Sequence, residues 1–250
     1  MAARWLGIDV HEKRFDLAAL SGLGGVKTFS KNLAEIESIL NAEKPQAIAI
    51  DAPSSPNRKL MLDPKIRSGL GIKQGQWQDC RVSEYLLGIG GYFSTKSIKD
   101  DCEGWMKAGF ELYEHLQRLG YSLAGGESKG SLIEVHPTYG FSWLIAPAKL
   151  DKKSTEQGRA QRIKILKKFV PGFIPEKKSS HEIDSALAAL LARFYCTKEH
   201  PCFWLGDPAE GQILLPGPIR KNLPADNLVK LIPHSVSKKW FAQAARQRAK

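Results

Sequence analysis

The stretch Ala-Ile-Ala-Ile-Asp-Ala-Pro, residues 47–53, decides the fold class of this chain. Small and β-branched apolar residues lead directly into Asp51, and a proline follows two positions later. A short, unbroken apolar run is typical of a strand that is buried on both faces of a parallel sheet. Open α/β sheets bind their ligands at the carboxyl ends of such strands, which makes Asp51 a candidate site residue. The alternative interpretation is that Asp51 only caps the next turn.

The same pattern occurs twice more in the sequence. Residues 5–9 form an apolar run that ends in Asp9, and residues 131–137 carry Glu134 in an apolar run that stops at a proline. Because the pattern recurs, it favours a set of carboxylates at one edge of a sheet over the capping of single turns.

The order of the predicted elements defines the sheet. Strands are predicted at residues 4–10, 15–20 and 26–31, and a helix follows at residues 32–43. The first two strands form a hairpin, and the helix leads to the strand of Asp51. A hairpin, a third strand and a helix that crosses to a buried strand is the opening order of the ribonuclease H-like (RNase H-like) fold. We therefore predict an α/β protein with a mixed five-stranded central sheet flanked by helices.

The remaining chain is predicted to complete one domain. Residues 54–79 have few periodic apolar positions and are interpreted as an irregular connection. Further helices are predicted at residues 81–87, 105–119, 154–169 and 181–195, and strands at 202–205 and 212–215. The predicted organisation is an RNase H-like domain over residues 1–216 and a basic C-terminal extension over residues 217–250.

Charge is unevenly distributed along the chain, whose net charge is +11. Residues 149–178 contain ten Lys or Arg against three acidic residues, and residues 219–250 contain eight against one. A nearly neutral body with two basic segments is what a protein that binds a polyanion would show. Two solvated segments that provide solubility would give the same composition, and charge alone does not separate these interpretations.

Composition also excludes several classes of protein. No apolar stretch approaches the roughly 20 residues that a membrane helix needs, and the N-terminus lacks the apolar core of a signal peptide. Cytoplasm is therefore the expected location. The four cysteines form no Cys-x-x-Cys pair, which argues against a zinc site or a disulfide framework. The oligomeric state is left open.

Six short motifs occur in an order that resembles a known family. They are Gly7-Ile8-Asp9, Ile50-Asp51-Ala52-Pro53, Arg81-x-x-Glu84, Glu134-Val135-His136-Pro137, His181-x-x-Asp184-Ser185-Ala186-Leu187 and Gly206-Asp207-Pro208-x-Glu210-Gly211. This order, over roughly residues 4–216, is similar to that of the predicted RNase H-like nucleases called domain of unknown function 429. The resemblance implies an RNase H-like fold and a nuclease site that uses a divalent metal ion. It does not cover residues 217–250.

A convergence of carboxylates provides the physical argument for chemistry. In the inferred fold the strands of Asp9 and Asp51 are parallel neighbours, so their ends lie about 5 Å apart. Glu134 is on the next parallel strand, and Asp184 lies in the first turn of the helix at residues 181–195. Carboxylates this close repel one another, and a divalent cation such as Mg²⁺ or Mn²⁺ relieves the repulsion. The four acids are the predicted catalytic and metal-binding residues.

Basic and histidine residues complete the predicted site. His181 is either a helper in proton transfer or a helix cap. Arg81 either binds a phosphate of the substrate, neutralises the acidic cluster or pairs with Glu84. The basic helix contributes Lys164, Lys167 and Lys168, which are predicted to bind the backbone of DNA or RNA.

The predicted function is that of a metal-dependent nuclease, which hydrolyses phosphodiester bonds. Actin-like ATPases and sugar kinases share the fold core but need a glycine-rich turn after the first strand, and residues 11–14 (His-Glu-Lys-Arg) provide none. A non-catalytic module that binds nucleic acid is the main alternative, because it needs only the basic segments. Another phosphoryl-transfer or hydrolytic enzyme is also left open.

Overall fold

The central sheet has the strand order that defines the RNase H-like core. The computed structural model describes residues 4–22, 24–73, 75–89, 94–124, 130–145, 149–174 and 178–217, and the statements below refer to these residues. Their strands are β1 (Arg4–Val10), β2 (Phe15–Ser21), β3 (Val26–Lys31), β4 (Ala47–Asp51), β5 (Ser122–Leu123), β6 (Ser131–Val135), β7 (Cys202–Asp207) and β8 (Gly211–Pro216). They form one sheet in the order β3-β2-β1-β4-β6-β8-β7, with β5 paired to β6.

The predicted directions of the core strands are confirmed. β1, β4 and β6 run parallel to one another, and β2 is antiparallel to β1. The five strands β3-β2-β1-β4-β6 form the predicted mixed core. The hairpin of β7 and β8 extends this core beyond β6, because β8 pairs with β6 in parallel.

Helices cover both faces of the sheet. They are α1 (Leu33–Glu43), α2 (Pro64–Leu70), α3 (Val82–Leu87), α4 (Gly104–Arg118), α5 (Pro137–Ile145), α6 (Glu156–Phe169) and α7 (Ser180–Thr197). Apolar side chains of α5, α6 and α7 pack on one face, and those of α1 and α4 pack on the other. We call these the α7 face and the α4 face. None of the described helices combines the length and the apolar composition that a membrane span requires.

Two helices differ from the sequence prediction. The stretch 54–79, predicted to be irregular, contains α2, which Asp63 caps through its side chain and which Gly71 ends with a positive φ. Pro137, interpreted as the end of a strand, is the first residue of α5. Proline suits the first helical position because the missing N–H would have no partner there.

The approach of α7 to β1 depends on Gly7. A Cβ atom at this position would lie 2.0 Å from the carbonyl oxygen of Ser185 and 2.2 Å from the amide nitrogen of Ala189. Ser179 and Glu182 form a capping box that fixes the start of α7. The helix therefore begins beside the carboxyl ends of the parallel strands, where its first two turns carry His181 and Asp184, two of the predicted site residues.

The basic C-terminal extension predicted for residues 217–250 lies outside the described residues, apart from Gly217.

Candidate functional site

A cleft of about 330 Å³ lies at the carboxyl ends of β1, β4 and β6. One part of its wall is polar and includes Asp9, His11, Asp51, Arg81, Glu84, Glu134, Lys153 and His181. Another part is apolar and includes Pro53, Ile89, Trp105 and Met106. The cleft thus sits at the position where open α/β sheets bind ligands.

Asp9 and Asp51 are brought together by strand register. They are direct partners in the parallel pairing of β1 with β4, so their side chains leave the sheet on the same face. That face is the α7 face, because Ala47 and Ala49 lie on the same side of β4 as Asp51 and pack against α7. The sequence prediction that these two carboxylates are neighbours agrees with this geometry.

The first two turns of α7 supply two further side chains to the same face. His181 Nδ1 lies 2.7 Å from Asp9 Oδ2. Asp184 is 1% exposed, and its Oδ2 accepts a hydrogen bond of 2.9 Å from Lys153 Nζ. Its other oxygen, Oδ1, is buried and has no hydrogen-bond partner among the described residues. A buried carboxylate oxygen without a partner is costly unless a cation or water binds it.

The pKa values of Asp51 and Asp184 are raised, and Asp184 is buried and does not line the cleft. Burial raises the pKa of Asp51 well above its usual value, and the negative charges of Asp9 and Asp184 raise it further. Burial also raises the pKa of Asp184, and Lys153 opposes this effect. The hydrogen bond to Asp9 raises the pKa of His181, although partial burial works in the other direction. Such mutual repulsion is the condition that a bound cation relieves.

Glu134 lies on the opposite face of the sheet from Asp9 and Asp51. It pairs with Ile50 in the register of β4 with β6, so its side chain leaves on the α4 face although it still lines the cleft. Its Oε2 accepts hydrogen bonds from the Ser54 amide at 2.9 Å and from Arg81 Nη1 at 3.0 Å, and Arg81 Nη2 donates to Oε1. The structure therefore pairs Glu134 with an arginine.

Arg81 is a buried ion-pair partner. Its guanidinium bonds Glu134 and also Glu84, whose Oε1 accepts from Arg81 Nε at 3.0 Å. Glu84 in turn accepts hydrogen bonds from the amide and the hydroxyl of Thr95. The sequence left three roles open for Arg81. These contacts correspond to two of them, neutralisation of acidic residues and pairing with Glu84. The network ties the connection after β4 to the end of β6 and forms one wall of the cleft.

The three predicted lysines lie away from the cleft. Lys164, Lys167 and Lys168 are exposed on α6, the helix whose C-terminal end packs near the C-terminal end of α7. At about 1.5 Å per residue they lie roughly 12 to 18 Å along the axis from the start of α6. The lysine that the structure brings to Asp184 is instead Lys153, which precedes α6.

Sequence reasoning missed two residues of the polar wall, His11 and Lys153. His11 follows β1 by one residue, and its Nε2 lies 3.0 Å from Asp16 Oδ2 and 3.5 Å from Asp9 Oδ2. Its position two residues after a strand-end aspartate was the available signal. Nothing in the sequence around Lys153 marked it as a site residue, because it reaches Asp184 through a contact between residues 31 positions apart.

The donor set fits a divalent metal ion. Asp9, Asp51 and Asp184 offer carboxylate oxygens on one face, and the unpartnered Oδ1 of Asp184 is the kind of atom that a cation binds. One ligand atom each of Asp9, His11 and His181 also lies within 4.8 Å of the others. The cleft therefore holds acidic and imidazole side chains that are able to bind a metal ion.

Comparison with known proteins gives a family match over part of the chain. Residues 94–210 match the model of a family described as protein of unknown function (DUF429), which agrees for this part with the resemblance noted above. Glu134, His181 and Asp184 lie inside the match, whereas Asp9 and Asp51 lie outside it. A structure of T. thermophilus RuvC in complex with Holliday junction substrate is similar at 14% sequence identity and a TM-score of 0.38, over 79% of this chain and 96% of that chain. No curated protein matches the chain.

Proposed function

We propose that the protein is a nuclease that depends on a divalent metal ion, Mg²⁺ or Mn²⁺, and hydrolyses phosphodiester bonds of DNA or RNA. The observation that carries the proposal is the convergence of Asp9, Asp51 and Asp184 on the α7 face at the ligand-binding edge of an RNase H-like sheet. A protein that only bound a polyanion would gain nothing from repelling carboxylates at this place.

Asp9, Asp51 and Asp184 would hold the metal ion. A bound divalent cation would supply charge stabilisation for a phosphoryl oxygen and lower the pKa of a coordinated water. Glu134 has a structural role in this proposal. Both of its carboxylate oxygens accept hydrogen bonds from Arg81, and these bonds anchor the cleft wall. Its role is therefore to keep the wall in place beside the three acids.

His181 is the proposed proton carrier. Its Nδ1 is bonded to Asp9 Oδ2 at 2.7 Å, which fixes the ring and leaves Nε2 to exchange a proton with water in the cleft. The side chain is 37% exposed, so water reaches it. An imidazole whose second nitrogen is held by a carboxylate is the usual arrangement of a general acid or base.

Positively charged side chains beyond the three aspartates would hold the substrate. The carboxylates repel a phosphate backbone, so binding requires positive charge beyond them. Lys153 lies at the cleft itself, while Lys164, Lys167 and Lys168 form an exposed row on α6. A strand that leaves the cleft along α6 would meet these lysines without any contact that reads its sequence.

The test is a cleavage assay with one inactivating variant and one charge-matched control. Single- and double-stranded DNA and RNA are incubated with wild type, Asp51→Asn and Glu37→Gln, each with Mg²⁺ and with Mn²⁺. Glu37 is exposed on α1, so Glu37→Gln removes the same negative charge at a position outside the cleft. We expect cleavage by wild type and by Glu37→Gln, and a loss of at least about 100-fold in Asp51→Asn.

Mn²⁺ calorimetry without nucleic acid accompanies the assay. Asp51→Asn should abolish most of the Mn²⁺ binding seen with wild type while it retains nucleic-acid binding. Wild type that binds nucleic acid but cleaves no substrate with either ion would favour the alternative function, a non-catalytic binding module.

A further inference from the structure

A second group of metal-binding side chains lies beside the three carboxylates. One ligand atom each of Asp9, His11 and His181 lies within 4.8 Å of the other two. The imidazole rings of His11 and His181 meet edge to face with centroids 4.4 Å apart. Asp9 and His181 already have roles in the mechanism proposed above, whereas His11 has none.

The β1–β2 hairpin builds this group from short-range structure. The turn between the strands is closed by a hydrogen bond from the His11 amide to the Arg14 carbonyl oxygen, 3.0 Å long. Register places Asp16 directly opposite Asp9, so two buried carboxylates face each other across the hairpin. Like charges in opposed positions destabilise a strand pair unless positive charge compensates them. Arg14 Nε lies 3.7 Å from Asp16 Oδ2, and the His11 ring lies at the same point, within 3.5 Å of both aspartates.

His11 Nε2 bonds Asp16 Oδ2 at 3.0 Å, so Asp16 takes the place of an outer-shell partner when the ring binds an ion through its other nitrogen, Nδ1. In metal sites a ligating histidine is commonly oriented by a carboxylate that also increases the basicity of the ring. His181 approaches from α7 on the other side, and Asp9 Oδ2 lies between the two rings, 2.7 Å from one and 3.5 Å from the other. Two imidazoles and a carboxylate around one point are a recurring set of transition-metal ligands.

We propose that Asp9, His11 and His181 form a second metal subsite, which takes a divalent transition cation such as Zn²⁺ or Co²⁺ and excludes Mg²⁺. The subsite rests on the proposed nuclease centre, with which it shares Asp9 and His181, so an ion bound there would take His181 out of proton transfer, and it names a different class of ion. Mg²⁺ takes oxygen ligands, whereas imidazole nitrogens suit transition metals. Two ligands at about 2.1 Å from one ion lie at most about 4.2 Å apart, so a small rotation of the partly exposed His11 ring closes the site.

Metal titrations in the absence of nucleic acid test the subsite. Wild type, His11→Ala, His11→Gln and Asp51→Asn are titrated separately with Zn²⁺ and Mg²⁺ by calorimetry, and with Co²⁺ by visible absorption. His200→Gln serves as the control, because His200 bonds the Gly217 carbonyl oxygen and does not line the cleft. Thermal unfolding of each variant verifies that it is folded, and His11→Gln retains a polar side chain in the turn.

We expect both His11 variants to lose at least about tenfold in Zn²⁺ affinity and to alter the Co²⁺ spectrum, with less than about a twofold change in Mg²⁺ affinity. Asp51→Asn should lose Mg²⁺ affinity and keep most of its Zn²⁺ affinity, and His200→Gln should match wild type. Zn²⁺ affinity and a Co²⁺ spectrum that are unchanged in folded His11 variants would overturn the proposal. Because no cleavage is measured, an inactive wild type would overturn the nuclease function while leaving this result intact.

Discussion

Arg81 is a buried side chain that joins separate parts of the chain. It is 2% exposed and bonds two carboxylates that are also buried, Glu84 and Glu134. A network of this kind contributes little net stability when complete, because desolvation offsets much of the attraction between its charges. Its removal is different, since two carboxylates would remain buried without a counter-ion.

We expect Arg81→Gln to lower the free energy of unfolding by about 3–5 kcal/mol, as for other broken buried ion pairs. Urea denaturation followed by circular dichroism measures the change. Arg118→Gln removes the same charge from an exposed position on α4 and should differ from wild type by less than about 0.5 kcal/mol. Equal stability of the two variants would mean that the Arg81 network does not hold the cleft wall.

The residues of the site were partly predictable. Asp9 and Asp51 could be paired from sequence because each ends a similar apolar strand. The face of the sheet on which Glu134 lies could not be predicted. A shift of one residue in register sends a side chain to the other face, and the apolar run around Glu134 does not fix that register. His11 was missed because the hairpin and α7 jointly supply its partners, which local sequence does not show.

At the scale of elements, the contact between β1 and α7 places the candidate site. Gly7→Ala would drive a methyl group into the backbone of α7 at Ser185 and Ala189. We expect a destabilisation of about 3 kcal/mol or more, since backbone atoms cannot yield as a flexible side chain can. Displacement of α7 should also weaken Mn²⁺ binding measured by calorimetry, because α7 carries Asp184.

A second glycine gives the control for this prediction. Gly69 is exposed in α2, and an added Cβ would meet no atom within 4 Å. Gly69→Ala should stabilise the protein by about 0.5–1 kcal/mol, because alanine loses less backbone freedom than glycine on entering a helix. A Gly7→Ala protein as stable as wild type, with normal Mn²⁺ affinity, would contradict the role of this contact.

Elements with a clear apolar pattern were predicted, and those without one were not. The strand of Asp51 is an unbroken apolar run, and helix α4 repeats its apolar residues at helical spacing; the structure confirms both. Helix α5 is apolar on nearly all sides and follows a strand directly, so its period gave no signal. Helix α2 is short, and only its cap and its glycine stop marked it.

At the scale of the whole molecule, the distance between the cleft and the lysines of α6 makes their effect depend on substrate length. Replacement of Lys164, Lys167 and Lys168 by alanine should weaken binding of a long single strand. The slope of log affinity against log salt should become less steep by about 0.7 for each phosphate that the variant no longer neutralises. A trinucleotide, which is too short to follow the whole of α6, should bind equally well before and after the change.

Salt-dependent fluorescence anisotropy with both substrate lengths measures this effect. Mn²⁺ affinity should stay at the wild-type value, since the lysines lie roughly 12 to 18 Å along α6 from its start. An unchanged salt slope with the long strand would remove these lysines from the substrate path. Weaker binding of the trinucleotide would place them closer to the cleft than their positions on α6 indicate.

Helices α4, α5 and α7 each begin at the cleft, and their dipoles have a consequence for its electrostatic potential. Trp105 in α4, Thr138 in α5 and His181 in α7 all line the cleft from the first turns of their helices. Each helix carries roughly half a positive charge at its N-terminus, from amide groups that have no partner within the helix. These fixed partial charges offset part of the field of the carboxylates without any mobile side chain, so an anion entering the cleft meets less repulsion than the acidic side chains alone would produce.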